Sequence, residues 1–252
     1  MTKEKSVAVR PAKTDLSTID AQLAAESIKE QVSAGGGGPR LSINSNGRWA
    51  TPDGAELEET ISVVVIDFMS KNTWYPHQYM PGNPLPPGCF AIGKVLANMA
   101  PSPESPEIQH DTCAGCPHDQ WGSSATGKGK ACKNTRELAI ILEEQMDDLD
   151  NAEIFIIQVP PTSIKFFDGF ARTVDRVLNG PPIKAIVDIT AVPVKGASYF
   201  TMAFDNVRAN PAYAEHFQLR TEATPMLEAL PDTSNYVPSN QKPTRPAAAG
   251  RR

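Results

Sequence analysis

Apolar residues fall into short β-branched runs separated by turn residues. Residues 40–44 (RLSIN) and 48–50 (RWA) flank Asn46-Gly47, a dipeptide that predicts a hairpin turn. The run 59–70 (ETISVVVIDFMS) predicts a strand whose middle is buried on both faces. A short apolar segment follows at 89–95, and 135–146 (TRELAIILEEQM) reads as strand or helix. Residues 152–159 (AEIFIIQV) predict a strand stopped by Pro160-Pro161. Thr162 or Ser163 then caps a helix over about 164–178, with Phe166, Phe167, Phe170, Val174 and Val177 apolar at helical spacing and facing the core. Asn179-Gly180-Pro181-Pro182 ends it. Residues 183–194 and 198–204 predict an antiparallel pair turning at Lys195-Gly196, and Asn210-Pro211 opens a final helix.

Mostly strands, one mid-chain helix and a closing strand pair predict a mainly β fold with some α (α+β). The expected form is an OB-like Greek-key barrel with inserts. Residues 1–38 read as a flexible arm, with a short helix over about 15–32 ended by the four glycines 35–38. Residues 39–224 read as the OB-like domain, carrying a metal-binding insert at about 85–136. Residues 225–252 read as a disordered tail; it is basic, because Lys242, Arg245, Arg251 and Arg252 follow the last acid, Asp232.

Composition narrows the classes. Of 252 residues, 40% are hydrophobic, enough for a packed core. No apolar run approaches the roughly 18 residues that cross a bilayer. The first residues, MTKEKS, carry charge with no apolar stretch behind them, so the expectation is a cytoplasmic chain with no membrane partner. A net charge of -5 argues against a uniformly basic coat but leaves room for a local cationic groove. The four histidines pair with no Ser or Cys nucleophile in a recognisable pattern, and no enzyme is expected.

The four cysteines change the picture. Cys113 and Cys116 form a C-x2-C step, Cys132 follows after 15 residues, and Cys89 precedes after 23. A C-x2-C turn aims two sulfurs at one point, and four thiolates match the tetrahedral demand of Zn²⁺. Residues 100–134 carry almost no core residues, so a structural metal would hold a loop that apolar burial cannot. An iron–sulfur cluster on the same thiolates is the competing reading. His110 and His118 stand beside the step as alternatives to one cysteine. A disulfide is disfavoured in a cytosol.

Next to the step, 122–129 (GSSATGKG) nearly spells a nucleotide-binding loop. The hydroxyl residue after the lysine is replaced by Gly129, and no strand precedes it. Residues 120–136 hold Lys128, Lys130, Lys133 and Arg136 with no acid. A cationic, glycine-rich loop tracks a phosphate backbone, and Trp121 beside it stacks on a base or else plugs the metal knuckle. Trp74, Tyr75 and Tyr79 after the long strand, and Arg48 with Trp49 at the hairpin, are further stacking candidates.

The run CAGCPHDQWGSS from Cys113, then GKGKACKN, resembles a zinc-knuckle segment of replication-associated single-stranded DNA-binding proteins of tailed bacteriophages. The runs VPPTSIKFF, PIKAIVDIT and YFTMAF look like the downstream part of the same proteins, and the resemblance spans about residues 85–205. It implies single-stranded DNA and phage replication proteins as partners, an OB-like barrel, and Cys89, Cys113, Cys116 and Cys132 as zinc ligands. Lys128, Lys130 and Lys133 are then the phosphate contacts. The best-known members use a histidine ligand and an acidic tail; this chain has neither pattern. Two other classes stand beside this reading: a zinc-stabilised protein–protein adaptor or virion component without nucleic-acid affinity, and a nucleotide hydrolase using Lys128.

Overall fold

The β-branched run becomes the spine of the molecule. In the computed structural model, which describes residues 37–80, 84–241 and 243, it forms β3 (Thr60–Trp74), 15 residues long. The other strands are β1 (Arg40–Ile43), β2 (Trp49–Ala50), β4 (Cys89–Gly93), β5 (Lys133–Leu142), β6 (Phe155–Val159), β7 (Ala185–Pro193) and β8 (Phe200–Ala209). They join one eight-stranded sheet in the order β2-β1-β6-β5-β3-β7-β8, with β4 paired to the far end of β3. All pairings are antiparallel except β1 with β6. The fold is mixed α/β, dominated by a strongly curled half-barrel sheet with few helices. The curl has a local cause: register shifts at Val65/Asp67 and Ile186/Asp188 insert extra residues that bend and twist their strands.

Each face of the sheet buries its own core. Helix α1 (Ile164–Leu178) lays Phe167, Phe170 and Val174 on Val63, Val65, Leu138, Ile140 and Val187. Phe166 stays outside this contact, 43% exposed, with Lys165 over its ring. Val177 is exposed as well. Asn179 ends α1 in the left-handed conformation, φ 50°. Ser163 opens it without capping, because its Oγ accepts instead from the backbone N–H of Met202 on β8, at 2.9 Å. On the opposite face, the single turn α2 (Tyr213–His216) and α3 (Arg220–Glu228) cover Val64, Ile66, Ile141 and Ile156 through Leu219, Ala223 and Leu227.

Two expectations are resolved and a third lies outside the described residues. The 135–146 run is strand as far as Leu142, because β-branched residues of β3 and β6 hold it on both sides, and Glu143–Gln145 is a 3-10 turn. Helix α3 continues to Glu228 with Leu227 fully buried, so the chain does not leave the fold at 225; it is described through Gln241. The arm at 1–38 and its helix at 15–32 fall almost wholly outside the described residues, as do most residues beyond Gln241.

Candidate metal centre and nucleic-acid face

The far end of β3 builds the site. Trp74 there pairs with Cys89 on β4, and Cys132 immediately precedes β5, which runs on the other side of β3. Cys113 is tied back by its N–H to the Met99 carbonyl, at 2.9 Å, and Cys116 closes the C-x2-C turn onto the Cys113 carbonyl at 3.2 Å. At Gly115 a Cβ would lie 2.7 Å from the His110 ring, so any larger residue in that turn displaces the ring. The Cys132 N–H reaches the His118 carbonyl at 2.8 Å.

These bonds turn four distant cysteines toward one small cavity of about 20 Å³. Cys89, Cys113, Cys116 and Cys132 all line it, with Asn72, Trp74 and Asp119. All four are free thiols. Neither His110 nor His118 is in the wall. Burial pushes the Cys132 thiol up to about 12, reinforced by Asp119 and the other three cysteines, and burial likewise raises Cys89 and Cys113. Hydrogen bonds oppose the rise: the Gln109 backbone and the Ser105 side chain act on Cys89, and Asn72 acts on Cys113. Among the described residues no group of three or more His, Cys, Asp or Glu side chains stands as a ready coordination shell. The donor chemistry fits a thiophilic ion. Soft sulfur predominates, polar donors approach two of the sulfurs, and the cavity is the size of one small particle.

Asp119 is the residue the sequence reading missed. It sits one position before the acid-free stretch and joins the cavity to the basic loop. Its Oδ1 accepts from Lys130 Nζ at 3.0 Å and from Asn134 Nδ2 at 2.9 Å. Lys130 is therefore already paired. Lys128 and Lys133 are exposed. The glycine-rich loop closes on itself, with the N–H groups of Gly122 and Ser124 both on the Gly129 carbonyl and that of Gly127 on Ser124. Those N–H groups are engaged within the loop itself. Trp121 stands 82% exposed on this loop, so it does not plug the cysteine lobe.

The aromatic candidates divide. Tyr79 is 77% exposed and Tyr75 is 43% exposed. Trp74 is half-buried and packs on the His118 ring with centroids 4.9 Å apart. Trp49 is fully buried with its Nε1 on the Ile189 carbonyl, because the hairpin folds it under the sheet; it cannot stack on a base. Arg48 is paired with Glu56 and Glu58. Both belong to the other end of the molecule, since Ile189 pairs with Ile61, roughly 40 Å along β3 from Trp74. Arg136 is also withdrawn, buried in the sheet beside Asp168 of α1, with burial lowering its affinity for a proton.

A second unforeseen element is the strap formed by residues 229–241. Lys71 Nζ donates to the Ala229 carbonyl at 3.1 Å and reaches the buried Glu137 at 2.7 Å. Tyr236 packs over Gly88, where a Cβ would lie 2.8 Å from its hydroxyl and 2.9 Å from the Trp74 ring. His77 Nε2 lies 3.1 Å from the carbonyls of Val237 and Pro238. The Ser239 N–H donates to Glu107 at 2.8 Å, which holds that carboxyl below its ordinary range. Polar, proline-rich sequence gave no signal of this docking, because its anchors are backbone groups and scattered side chains.

Compared with known proteins, the chain matches no family model, no curated protein and no solved structure.

Proposed function

We propose that the protein is a non-enzymatic single-stranded DNA-binding protein whose contact surface is the cysteine-pinned basic loop at the far end of β3. One observation carries this reading: Trp121 is 82% exposed on a loop that also presents the exposed Lys128 and is followed by the exposed Lys133. A large exposed aromatic beside cations is suited to stacking on an unpaired base while lysines meet the phosphates. Tyr79 and Tyr75, exposed on the loop that leaves Trp74, extend the aromatic surface at the same end.

In this reading Cys89, Cys113, Cys116 and Cys132 hold a structural Zn²⁺. Four sulfur ligands leave no position for water, so the ion's contribution is to fix the loop. We take the curled half-barrel as an OB-like barrel carrying this lobe between β4 and β5. The bend at the β3 bulge and the long central strand favour that description.

The test is a titration of fluorescent single-stranded and duplex oligonucleotides at low salt. Preference for the single strand is expected, with Trp121 emission quenched. The affinity should fall with salt at a log–log slope of about 0.7 per phosphate neutralised. Absence of binding below tens of micromolar, together with recovery of protein partners free of nucleic acid, would establish the adaptor reading instead.

A further inference from the structure

Helix α1 turns one face to the core and presents the other to solvent. Lys165, Phe166, Arg172, Asp175, Arg176 and Val177 are exposed there, Val177 at 65%. Gly169 lies in the middle of that face, and a Cβ built on it would meet nothing within 4 Å. Glycine inside a helix is costly relative to alanine, and no neighbour in this chain requires it. What it permits is the close approach of a second backbone.

The charges of this face are ordered. At about 3.6 residues per turn, Lys165 and Arg172 share one row, and Asp168 and Asp175 share the row beside it. Read along the helix, the signs alternate plus, minus, plus, minus. Turned end for end about position 170, this order meets its own complement: Lys165 falls opposite Asp175, and Asp168 opposite Arg172. Neighbours of opposite sign stand three and four residues apart on the same helix, yet Arg172 and Asp175 enter no ion pair among the described residues. Lys165 lies over its own Phe166 ring, and Asp168 is 3.9 Å from Arg136. The same reversal sets Phe166 beside Thr173 across the pair, with Gly169 between them. Arg176, the remaining cation, falls within a turn of the partner's Phe166, a ring suited to face it.

We propose that the outer face of α1 is the contact surface of a weak two-fold homodimer, in which two copies of the helix pack antiparallel across Gly169. The occupant is a second copy of this chain because the face, reversed, is complementary to itself. The two-fold axis makes each charge pair occur twice. One pair of 15-residue helices is a small interface, so association is reversible and depends on concentration. The proposal is independent of the nucleic-acid reading.

The experiment is sedimentation velocity of the full chain from about 1 to 300 μM, beside Lys165→Glu, Asp175→Lys, the double variant and Gly169→Ala. Both charged positions are exposed, so neither reversal disturbs a core. Each single reversal turns two attractions into repulsions and should weaken the dimer roughly tenfold. An equimolar mixture of the two single variants should restore it, and so should the double variant, because opposite charges face each other again. Gly169→Ala should raise the thermal midpoint of the dilute chain, since alanine favours helix, while weakening the dimer; a glycine with no contact role would not separate these readouts. A monomer at every concentration overturns the proposal. If that monomer cross-links Lys165 to a lysine within residues 1–29, that segment is the occupant instead. A dimer indifferent to all four variants overturns it as well, placing the contact on another face. Failure of both the mixture and the double variant to recover a dimer weakened by the single reversals overturns the antiparallel pairing.

Discussion

Replacing Cys116 with serine isolates the role of the sulfur cluster. The excursion between β4 and β5 covers 39 residues, 94–132, and contributes no residue to either main core. Its own apolar cluster is only Met99 and Cys113 against Ala91. Closing a loop of this length costs about 3 kcal/mol in chain entropy by (3/2)RT ln n. Structural zinc supplies about 10–16 kcal/mol in small metal-folded domains, or about 2.5–4 kcal/mol for each of four ligands. Loss of one thiolate is therefore of the same size as the closure cost, and Cys116→Ser should open the excursion while the sheet persists. Hydrogen exchange read by mass spectrometry should show lost protection confined to 94–132, with β3, β5, β6 and β7 unchanged. Metal content should fall from about one ion per chain to less than half. Retained protection in 94–132 with full metal content would refute the reasoning, as would loss of protection across the whole sheet, since the cores share no residue with this lobe.

Trp121→Ala should leave thermal stability unchanged and weaken single-strand binding by about 1–3 kcal/mol, roughly 5- to 150-fold, measured by oligonucleotide titration. Unchanged affinity would remove the stacking role. Gly88→Ala drives a methyl into Tyr236 and Trp74. It should cost about 1–3 kcal/mol or release the strap, detected as new proteolytic cleavage within 229–241; a variant with unaltered stability and cleavage would contradict the packing described. For Asp188, burial raises the carboxyl pKa, but bonds from Ser62, Asn206 and Arg208 outweigh it and the net shift is downward. A depressed folded pKa stabilises above the ordinary carboxylate value of about 3.9 and is lost as pH falls through the lower folded value. Asp188→Asn should thus be less stable than the natural chain at pH 7, with the gap closing below about pH 4 in denaturant titrations; a gap independent of pH would oppose this.

The parts of the fold visible in the sequence are those written in local periodicity. The extended run at 60–70, the Phe167, Phe170 and Val174 stripe of α1 with Asn179 at its end, and the turn at Gly196 lie where spacing and turn residues place them, whereas Phe166 and Val177, expected on the same stripe, are exposed. What local pattern does not encode is partnership. The parallel pairing of β1 with β6 joins residues over a hundred positions apart. Trp49 looks like a surface aromatic beside an arginine until Ile189, 140 residues away, closes over it. The C-x2-C step is itself a local signal, and the side chains of all four cysteines line one cavity. Asp119 and the strap were not legible, because one acid and a proline-rich segment acquire meaning only through what they touch. Among the cationic candidates, Arg136 failed for the same reason: alternation along β5 turns it inward toward Asp168.

The outer side of β4 is sealed by its own excursion. Ser105 Oγ bonds both the N–H and the carbonyl of Phe90, Ser102 donates to that same carbonyl, and Glu107 donates to Gly88. An uncovered row of backbone groups is a template on which other chains assemble. The segment that hides this row carries three of the four free thiols, so on the zinc reading proposed above stripping the ion would do more than slacken a loop. It would unmask an adhesive margin, and demetallated protein should clump through that margin at concentrations where the loaded form stays dispersed.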